Sequence, residues 1–435
     1  MTPGARLSAA IEVLNDIEAR RRPATDALKD WGLAHRFAGS GDRAAIGGLV
    51  FDALRRRSSA ACLMGAATPR AILLGALRLE RGLSLDAIAR LADGSRYAPA
   101  APDAAESKAL ATGAGRLDDA PAYVHGDYPD WLDPYFAAVF GEERAEEGAA
   151  LASRAPVDLR VNALKGDREA GASALAHLHA RPTPWSPACL RIVLSAEAKS
   201  PPIQAEPAFI AGLVEIQDEG SQLAALLSGA RPGELVIDLC AGGGGKTLAL
   251  AALMENRGQI YATDADLRRL APIHARLARA GVRNVEVRSP RGKVPASLGD
   301  LECAADLVLI DAPCTGIGAW RRNPDAKWRV RPGALDERIK TQYAVLEGAA
   351  SLVKPGGRIA YITCSLLDEE NGAQVRGFLA RHPEFAVVPT EEATSVLGPR
   401  KPQFDAAVQI SPEGLLMTPR RTGTDGFFVA LIRRR

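Results

Sequence analysis

From the N-terminus to about residue 95, apolar side chains recur at intervals of three and four, the repeat of helices that each bury one stripe. The spacing predicts helices over Leu7–Ile17, Asp42–Arg57, Pro69–Glu80 and Ser84–Leu91. The stretch from Tyr97 to Ala120, rich in Ala, Pro, Gly and Asp, reads as a linker. Between Tyr128 and Gln217 the periods are mixed. Helices are expected at Trp131–Phe140 and Glu143–Ala152, and short strands at Val157–Val161, Leu190–Val193 and Leu213–Gln217. After Gly220 short, continuously apolar runs alternate with helical ones. These are Leu235–Leu239 then Thr247–Met254, Gln259–Thr263 then Leu267–Ala280, Val285–Val287, Leu307–Ile310, Lys340–Val353 and Gly357–Ile362. Strands that are apolar on both faces and alternate with helices predict a parallel sheet covered on both sides. Phe427–Ile432 is expected as an edge strand. The chain therefore divides into an all-α bundle with its linker (1–125), a small α+β module (126–219) and a C-terminal α/β, Rossmann-like domain (220–435).

Composition changes this picture little. Of 435 residues, 47% are hydrophobic and 24% charged, which is ordinary for globular proteins and enough for sizeable cores. A net charge of +2 neither requires nor excludes a nucleic-acid partner. Local groups matter more: Arg20–Arg22, Arg55–Arg57 and Arg433–Arg435 are each a basic patch or a solvated face. No apolar run reaches the roughly 18 residues of a membrane span, and Met1–Arg22 lacks a signal-peptide pattern. No membrane partner is expected, and the cytoplasm is the default compartment. The six cysteines form no Cys-x-x-Cys pair, so neither a disulfide framework nor a metal site is expected.

The densest chemical signal is a strand, a glycine turn and a helix start: Val236-Ile237-Asp238-Leu239-Cys240-Ala241-Gly242-Gly243-Gly244-Gly245-Lys246-Thr247. Such a turn lets the backbone close on a ligand at the carboxyl end of a sheet. A triphosphate loop needs glycine at position 240, where Cys240 stands. A dinucleotide fingerprint needs glycine at 247 or 248, where Thr247 and Leu248 stand. S-adenosylmethionine remains, with Asp264 at the end of the next strand to accept from its ribose hydroxyls. The alternative is a merely tight strand-to-helix turn.

Two more strands end in cysteine loops, Asp311-Ala312-Pro313-Cys314-Thr315-Gly316 and Thr363-Cys364-Ser365. A lone cysteine is usually a small core residue, but two at matching strand ends beside a cofactor turn argue for covalent chemistry. A thiolate added to carbon 6 of cytosine makes the weakly nucleophilic carbon 5 able to attack a methyl group. An acid near N3 would offset the charge that develops. Asp311 stands where it can reach base and cofactor, unless it only caps a turn. Lys246 stands as a positive charge at the same edge, unless it is a surface cation near a helix start.

These residues resemble the Nop/Sun RNA cytosine-5 methyltransferases, and among them the bacterial RsmB/Sun-type enzymes of 16S ribosomal RNA. The likeness is carried by Cys240–Thr247, Asp311–Cys314, Thr363–Ser365, Arg321-Arg322-Asn323-Pro324-Asp325 and Lys354-Pro355-Gly356-Gly357. It implies that Cys364 attacks carbon 6 and that Cys314 helps release the product. It further implies that Asp311 and Lys246 orient and polarise the base, while Asp264 holds the ribose beside the turn Cys240, Ala241, Gly242, Gly243, Gly244 and Gly245. Upstream, Leu159–Lys165 resembles the start of an RNA-recognition-like module, and Gly41–Ile46 with Leu54-Arg55-Arg56 a NusB-like RNA-binding bundle. The implied partner is 16S ribosomal RNA before full ribosome assembly, met by a monomer.

Two departures stand out. The family usually has proline where Gly243 stands, a change expected to loosen the loop. It also usually has an aspartate near the adenine after the third strand, where this chain reads Val287-Arg288-Ser289-Pro290-Arg291-Gly292 with no acid. Lower cofactor affinity is the expected consequence. Two other readings stay open: a catalytically weak ribosome-assembly factor of the same fold, and a methyltransferase of protein or small molecules.

Overall fold

The computed structural model describes residues 1–194, 200–290 and 297–435. The described chain falls into two compact units: Met1–Arg154 with Trp320–Arg331, and Ala155–Leu194 with Ser200–Ala319 and Pro332–Arg435.

The first unit is helical. The Thr2 hydroxyl accepts from the Ala5 N–H and Pro3 takes the first helical position, so that helix spans Pro3–Arg20, longer than the apolar repeat alone shows. Thr68 and Pro69 start the helix Pro69–Leu79 in the same way. Leu7, Ala10, Val13, Leu14 and Ile17 form the buried stripe of the first helix, in one core with Ile46, Val50, Leu54 and Leu73. The single helix expected over Asp42–Arg57 is two, Ser40–Arg55 and Arg57–Met64. The expected linker contains a helix, Ala104–Thr112. Asp103 accepts from the Glu106 N–H at 2.8 Å and Glu106 accepts from the Asp103 N–H at 3.1 Å, a reciprocal cap that outweighs the loop-like composition around it.

The segment Trp320–Arg331 contributes a buried polar cluster to this unit. Lys327, 1% exposed, donates to the carbonyls of Arg55 at 3.0 Å and Asp127 at 2.6 Å. The Asp127 carboxylate accepts from the Ser59 N–H and hydroxyl at 2.9 and 2.7 Å. Burial pulls the Lys327 ammonium down to about 7. Asp325 accepts from the Ala24 N–H at 3.2 Å and so caps the helix Ala24–Ala34, whose own Pro23 offers no side-chain cap.

The second unit is built on thirteen strands among the described residues: β1 (Val157–Val161), β2 (Arg181–Pro182), β3 (Cys189–Ile192), β4 (Val214–Ile216), β5 (Leu235–Asp238), β6 (Gln259–Ala262), β7 (Val285–Val287), β8 (Ala305–Asp311), β9 (Val353–Thr363), β10 (Phe385–Val387), β11 (Gln409–Ser411), β12 (Gly414–Met417) and β13 (Phe427–Arg434). The first four form a small antiparallel sheet in the order β2-β3-β1-β4. The rest form a mixed sheet in the order β11-β12-β13-β9-β8-β5-β6-β7, with β10 paired to the end of β13. The run from β9 to β7 is parallel, and β10 to β13 are antiparallel. Val236, Ile237, Leu307, Val308, Leu309, Ile359, Ala360 and Ile362 are fully buried, as strands covered on both faces must be.

The expected edge strand is internal. β13 lies between β12 and β9, with Phe428 opposite both Leu416 and Thr363. The helical run Leu267–Ala280 breaks at Pro272 into Leu267–Leu270 and Ile273–Ala280. The helix expected from Lys340 starts at Pro332 and reaches Leu352. Strand order reverses between β5 and β8, and ligands of doubly wound sheets bind at the carboxyl side of such a switch point. No single helix among the described residues is long and apolar enough to cross a membrane.

Candidate active site

Every residue singled out for chemistry sits at the carboxyl ends of β5, β6, β8 and β9. The glycine turn follows β5 and opens the helix Gly245–Leu253. Gly242 and Gly244 have φ of 49° and 83°, and a Cβ on Gly244 would come within 2.5 Å of the Ile273 side chain, so glycine is required there twice over. The turn expected to be loose without its proline is tied down, because Arg276 donates to the Gly243 carbonyl at 2.7 Å. Asp264 accepts from the Gly242 N–H at 3.0 Å and the Asp266 N–H at 2.9 Å, which fixes its carboxylate against the turn. Cys240 is buried, and burial pushes its thiol well up, so it packs as a small apolar residue.

Lys246, on the first turn of that helix, is 6% exposed. Its ammonium lies 2.7 Å from the Asp311 carboxylate, 3.2 Å from the Ser221 hydroxyl and 5.0 Å from the Phe427 ring centroid. A cation at a helix N-terminus opposes the macrodipole, and Asp311 supplies the compensating charge. The two residues are brought together because β5 and β8 are neighbours.

The two thiols meet as well. Cys314 follows β8, Cys364 follows β9, and their sulfurs are 3.3 Å apart. The hydrogen bond to Cys364, followed by burial, holds the Cys314 thiol far above its ordinary range. Cys314 therefore remains an S–H beside its partner's sulfur. Two residues that sequence reasoning missed brace these loops. Glu370 accepts from the Thr315 N–H at 2.8 Å, the Thr315 hydroxyl and the Gln342 amide at 3.0 Å, which pins the Cys314 loop. Asn371 accepts from the Thr363 hydroxyl and donates to the Ser365 carbonyl at 3.0 Å, which pins the Cys364 loop. Neither is flagged by local pattern; Glu370 reaches residues 55 and 28 positions away, whereas Asn371 ties the loop after β9 back onto its own start.

Beside the turn a cavity of about 540 Å³ is lined by Leu239, Thr263, Asp264, Ala265, Glu302 and Val345 among others. Arg288, where an acid was missed, stacks 4.3 Å from the Tyr261 ring centroid and pairs with Asp300 at 2.6 Å. The end of that stretch, Arg291 and Gly292, lies outside the described residues. Glu302 is thus a carboxylate of the cavity that the third-strand pattern does not predict. Among the described residues no cluster of three or more His, Cys, Asp or Glu side chains is arranged to hold a metal ion.

Residues 225–433 match the family described as 16S rRNA methyltransferase RsmB/F. The chain is 33% identical over 315 residues to the probable ribosomal RNA small subunit methyltransferase B of Synechocystis sp., which covers 71% of this chain and 67% of that one. The chain belongs to the RsmB/F methyltransferase family. Its identity to the ribosomal RNA small subunit methyltransferase B of Sodalis glossinidius is 33% over 305 residues, 70% of this chain and 65% of that one. The chain thus spans about two thirds of the length of these curated relatives. Among solved structures, a methyltransferase homologue from Pyrococcus horikoshii is similar with a TM-score of 0.57 at 27% identity, over 72% of this chain and 98% of that one. The cofactor of this RsmB/F methyltransferase is S-adenosylmethionine, and the site fits it. The positive-φ turn admits a close backbone approach, Asp264 keeps lone pairs for hydroxyl donors, and the adjoining cavity has room for a nucleoside.

Asp238, under the turn, is fully buried. One of its oxygens accepts from the Thr247 hydroxyl at 2.7 Å and the other has no partner, and burial lifts the carboxyl to about 7. Between about pH 4 and 7 the native state therefore holds a proton that the unfolded chain has released. The contribution to stability is complete below that window and lost as pH rises through 7. Asp238→Asn keeps the shape and removes the titration. The stability of wild type relative to this variant should fall by about 2 to 3 kcal/mol between pH 5 and 7, read from paired thermal or urea melts. A difference that does not move with pH would show an ionised Asp238 throughout.

Proposed function

We propose that this chain methylates carbon 5 of a cytosine in 16S ribosomal RNA through a transient bond between Cys364 and carbon 6. The observation that carries this reading is the pair of thiols 3.3 Å apart at adjacent strand ends, beside a buried Lys246 paired to the half-buried Asp311 and a cofactor turn. Cys364 in its thiolate form adds to carbon 6, and the electron pair of the 5,6 double bond moves to make carbon 5 nucleophilic. The Cys314 S–H hydrogen-bonds the attacking sulfur. Asp311 and Lys246 hold the polar edge of the ring and offset charge near N3. S-adenosylmethionine would be held by the turn 240–245, with Asp264 at its ribose and Glu302 in the adjoining cavity, and would supply the electrophilic methyl group that carbon 5 takes as the sulfur–methyl bond breaks and its electron pair stays on sulfur. Cys314, once it has released its own proton to solvent, then accepts the carbon 5 proton. The pair left on carbon 5 re-forms the double bond and expels the Cys364 sulfur.

Unmodified 16S ribosomal RNA incubated with the protein and methyl-labelled S-adenosylmethionine, then digested to nucleosides, should give label in 5-methylcytidine alone. Label in another nucleoside would reject the cytosine chemistry. No label in RNA would favour the assembly-factor reading.

A further inference from the structure

The helical unit holds a cavity of about 420 Å³ that the proposed chemistry does not use. Its floor is apolar, with Leu14 and Ile17 from the first helix and Ile72 from Pro69–Leu79. One wall is Trp328, whose indole N–H donates to the Leu54 carbonyl at 2.7 Å and whose ring centroid lies 5.3 Å from the Arg57 guanidinium and 5.2 Å from the Lys327 ammonium. The charged part of the lining is basic in balance: Arg21, Arg57, Arg329 and Arg331 against Glu18 and Asp325. Both carboxylates are engaged, Glu18 with Arg57 at 3.2 Å and Asp325 with Arg329 at 3.0 Å. Among the described residues no ion pair is formed by Arg21 or Arg331, which leaves two uncompensated guanidiniums over an apolar floor. Arg21 also ends the first helix at φ 50°, a conformation glycine takes most cheaply.

An apolar slot with an aromatic wall and surplus arginines matches the chemistry of an unstacked nucleotide, whose base is flat and apolar-faced and whose phosphate is anionic. The volume lies in the range of sites that enclose a single small ligand. We propose that this cavity binds one unpaired nucleotide of the RNA substrate, with its base against Trp328 and the apolar floor and its phosphate on Arg21 and Arg331. This rests on the RNA reading above and extends it to a second, non-catalytic contact. The segment that carries Trp328 and Arg331 lies between the two cysteine loops in sequence, yet it belongs to the helical unit.

The test uses the full chain and a labelled, unstructured ten-nucleotide oligoribonucleotide. Arg21→Gln with Arg331→Gln, both at exposed positions, should weaken binding at least tenfold in 0.1 M salt. The slope of log affinity against log salt should fall by about 0.7, one single-strand phosphate contact. The same oligonucleotide carrying 4-thiouridine should photo-crosslink to the peptide that contains Trp328. Full binding by the double variant with an unchanged slope, or a crosslink confined to other peptides, overturns the inference and leaves the RNA reading standing. Wild-type protein that binds no RNA overturns both. Displacement of the crosslink by an acidic peptide at lower concentration than by unlabelled RNA would give the cavity to a protein partner and overturn the inference.

Discussion

Protein carrying Cys314→Ala, mixed with substrate RNA and S-adenosylmethionine, should accumulate a covalent protein–RNA complex that survives denaturing electrophoresis, while its turnover falls by about 10²- to 10⁴-fold. In the free protein the two sulfurs are in contact at 3.3 Å. In the free protein the chief cause of the raised Cys314 thiol is its bond to Cys364. Once the Cys364 sulfur is bonded to carbon, that cause is gone. The Cys314 thiol then falls back toward its ordinary range, although burial and the Glu370 charge still raise it. It becomes available for proton transfer at the stage when the carbon 5 proton must leave. Without it the adduct forms, accepts the methyl group and waits. Cys364→Ala should give neither adduct nor methylation, and the double variant should match Cys364→Ala. An adduct with Cys364→Ala and none with Cys314→Ala would exchange the two roles. The absence of adduct from both, with methylation retained, would end the covalent reading.

Which parts of this site could be read in advance follows from how far apart its components lie in sequence. The turn Cys240–Thr247 and the two strand-end cysteines are local patterns: a strand, its end and the next few residues. They were legible, and the structure places them together at one sheet edge. The contacts that organise them are not local. Lys246 and Asp311 are joined by the β5–β8 pairing, and Glu370 reaches back to Thr315 through the loop after β9. No residue pattern signals that Glu370 and Asn371 brace the cysteine loops, because any acid or amide near the surface looks the same in sequence. β13 was misplaced at an edge because an apolar run shows burial but not neighbours. β12, which covers it, is only Gly414–Met417. The helix Ala104–Thr112 was hidden by the prolines and glycines that flank it, although the cap Asp103-Ala104-Ala105-Glu106 was there to be read. The excursion Trp320–Arg331 was unforeseeable. Its arginines stand out in sequence only through the family likeness, and Arg321 is 4% exposed with its carbonyl accepting from Arg55 at 2.8 Å.

Breaking the Lys246–Asp311 pair should have the other large effect, and the two ways of breaking it should differ. Asp311 is 35% exposed, whereas Lys246 is 6% exposed and sits where the helix N-terminus disfavours a cation. Asp311→Asn leaves that ammonium without its counter-charge. Such removal of one member of a buried pair costs up to about 3 to 5 kcal/mol, less here because Asp311 is partly solvated. Lys246→Met removes the buried charge, fills much of its volume and leaves a carboxylate that water can reach, so its thermal midpoint should fall less. Both variants should lose about 10²- to 10⁴-fold in kcat if the pair acts on the base, with little change in S-adenosylmethionine affinity measured by calorimetry. Because the two groups then work as one unit, the double variant should lose no more activity than the worse single one. Additive losses would show two independent roles. An unchanged kcat with weakened cofactor binding would move the pair from the base to the cofactor and leave the polarisation of the ring to other groups.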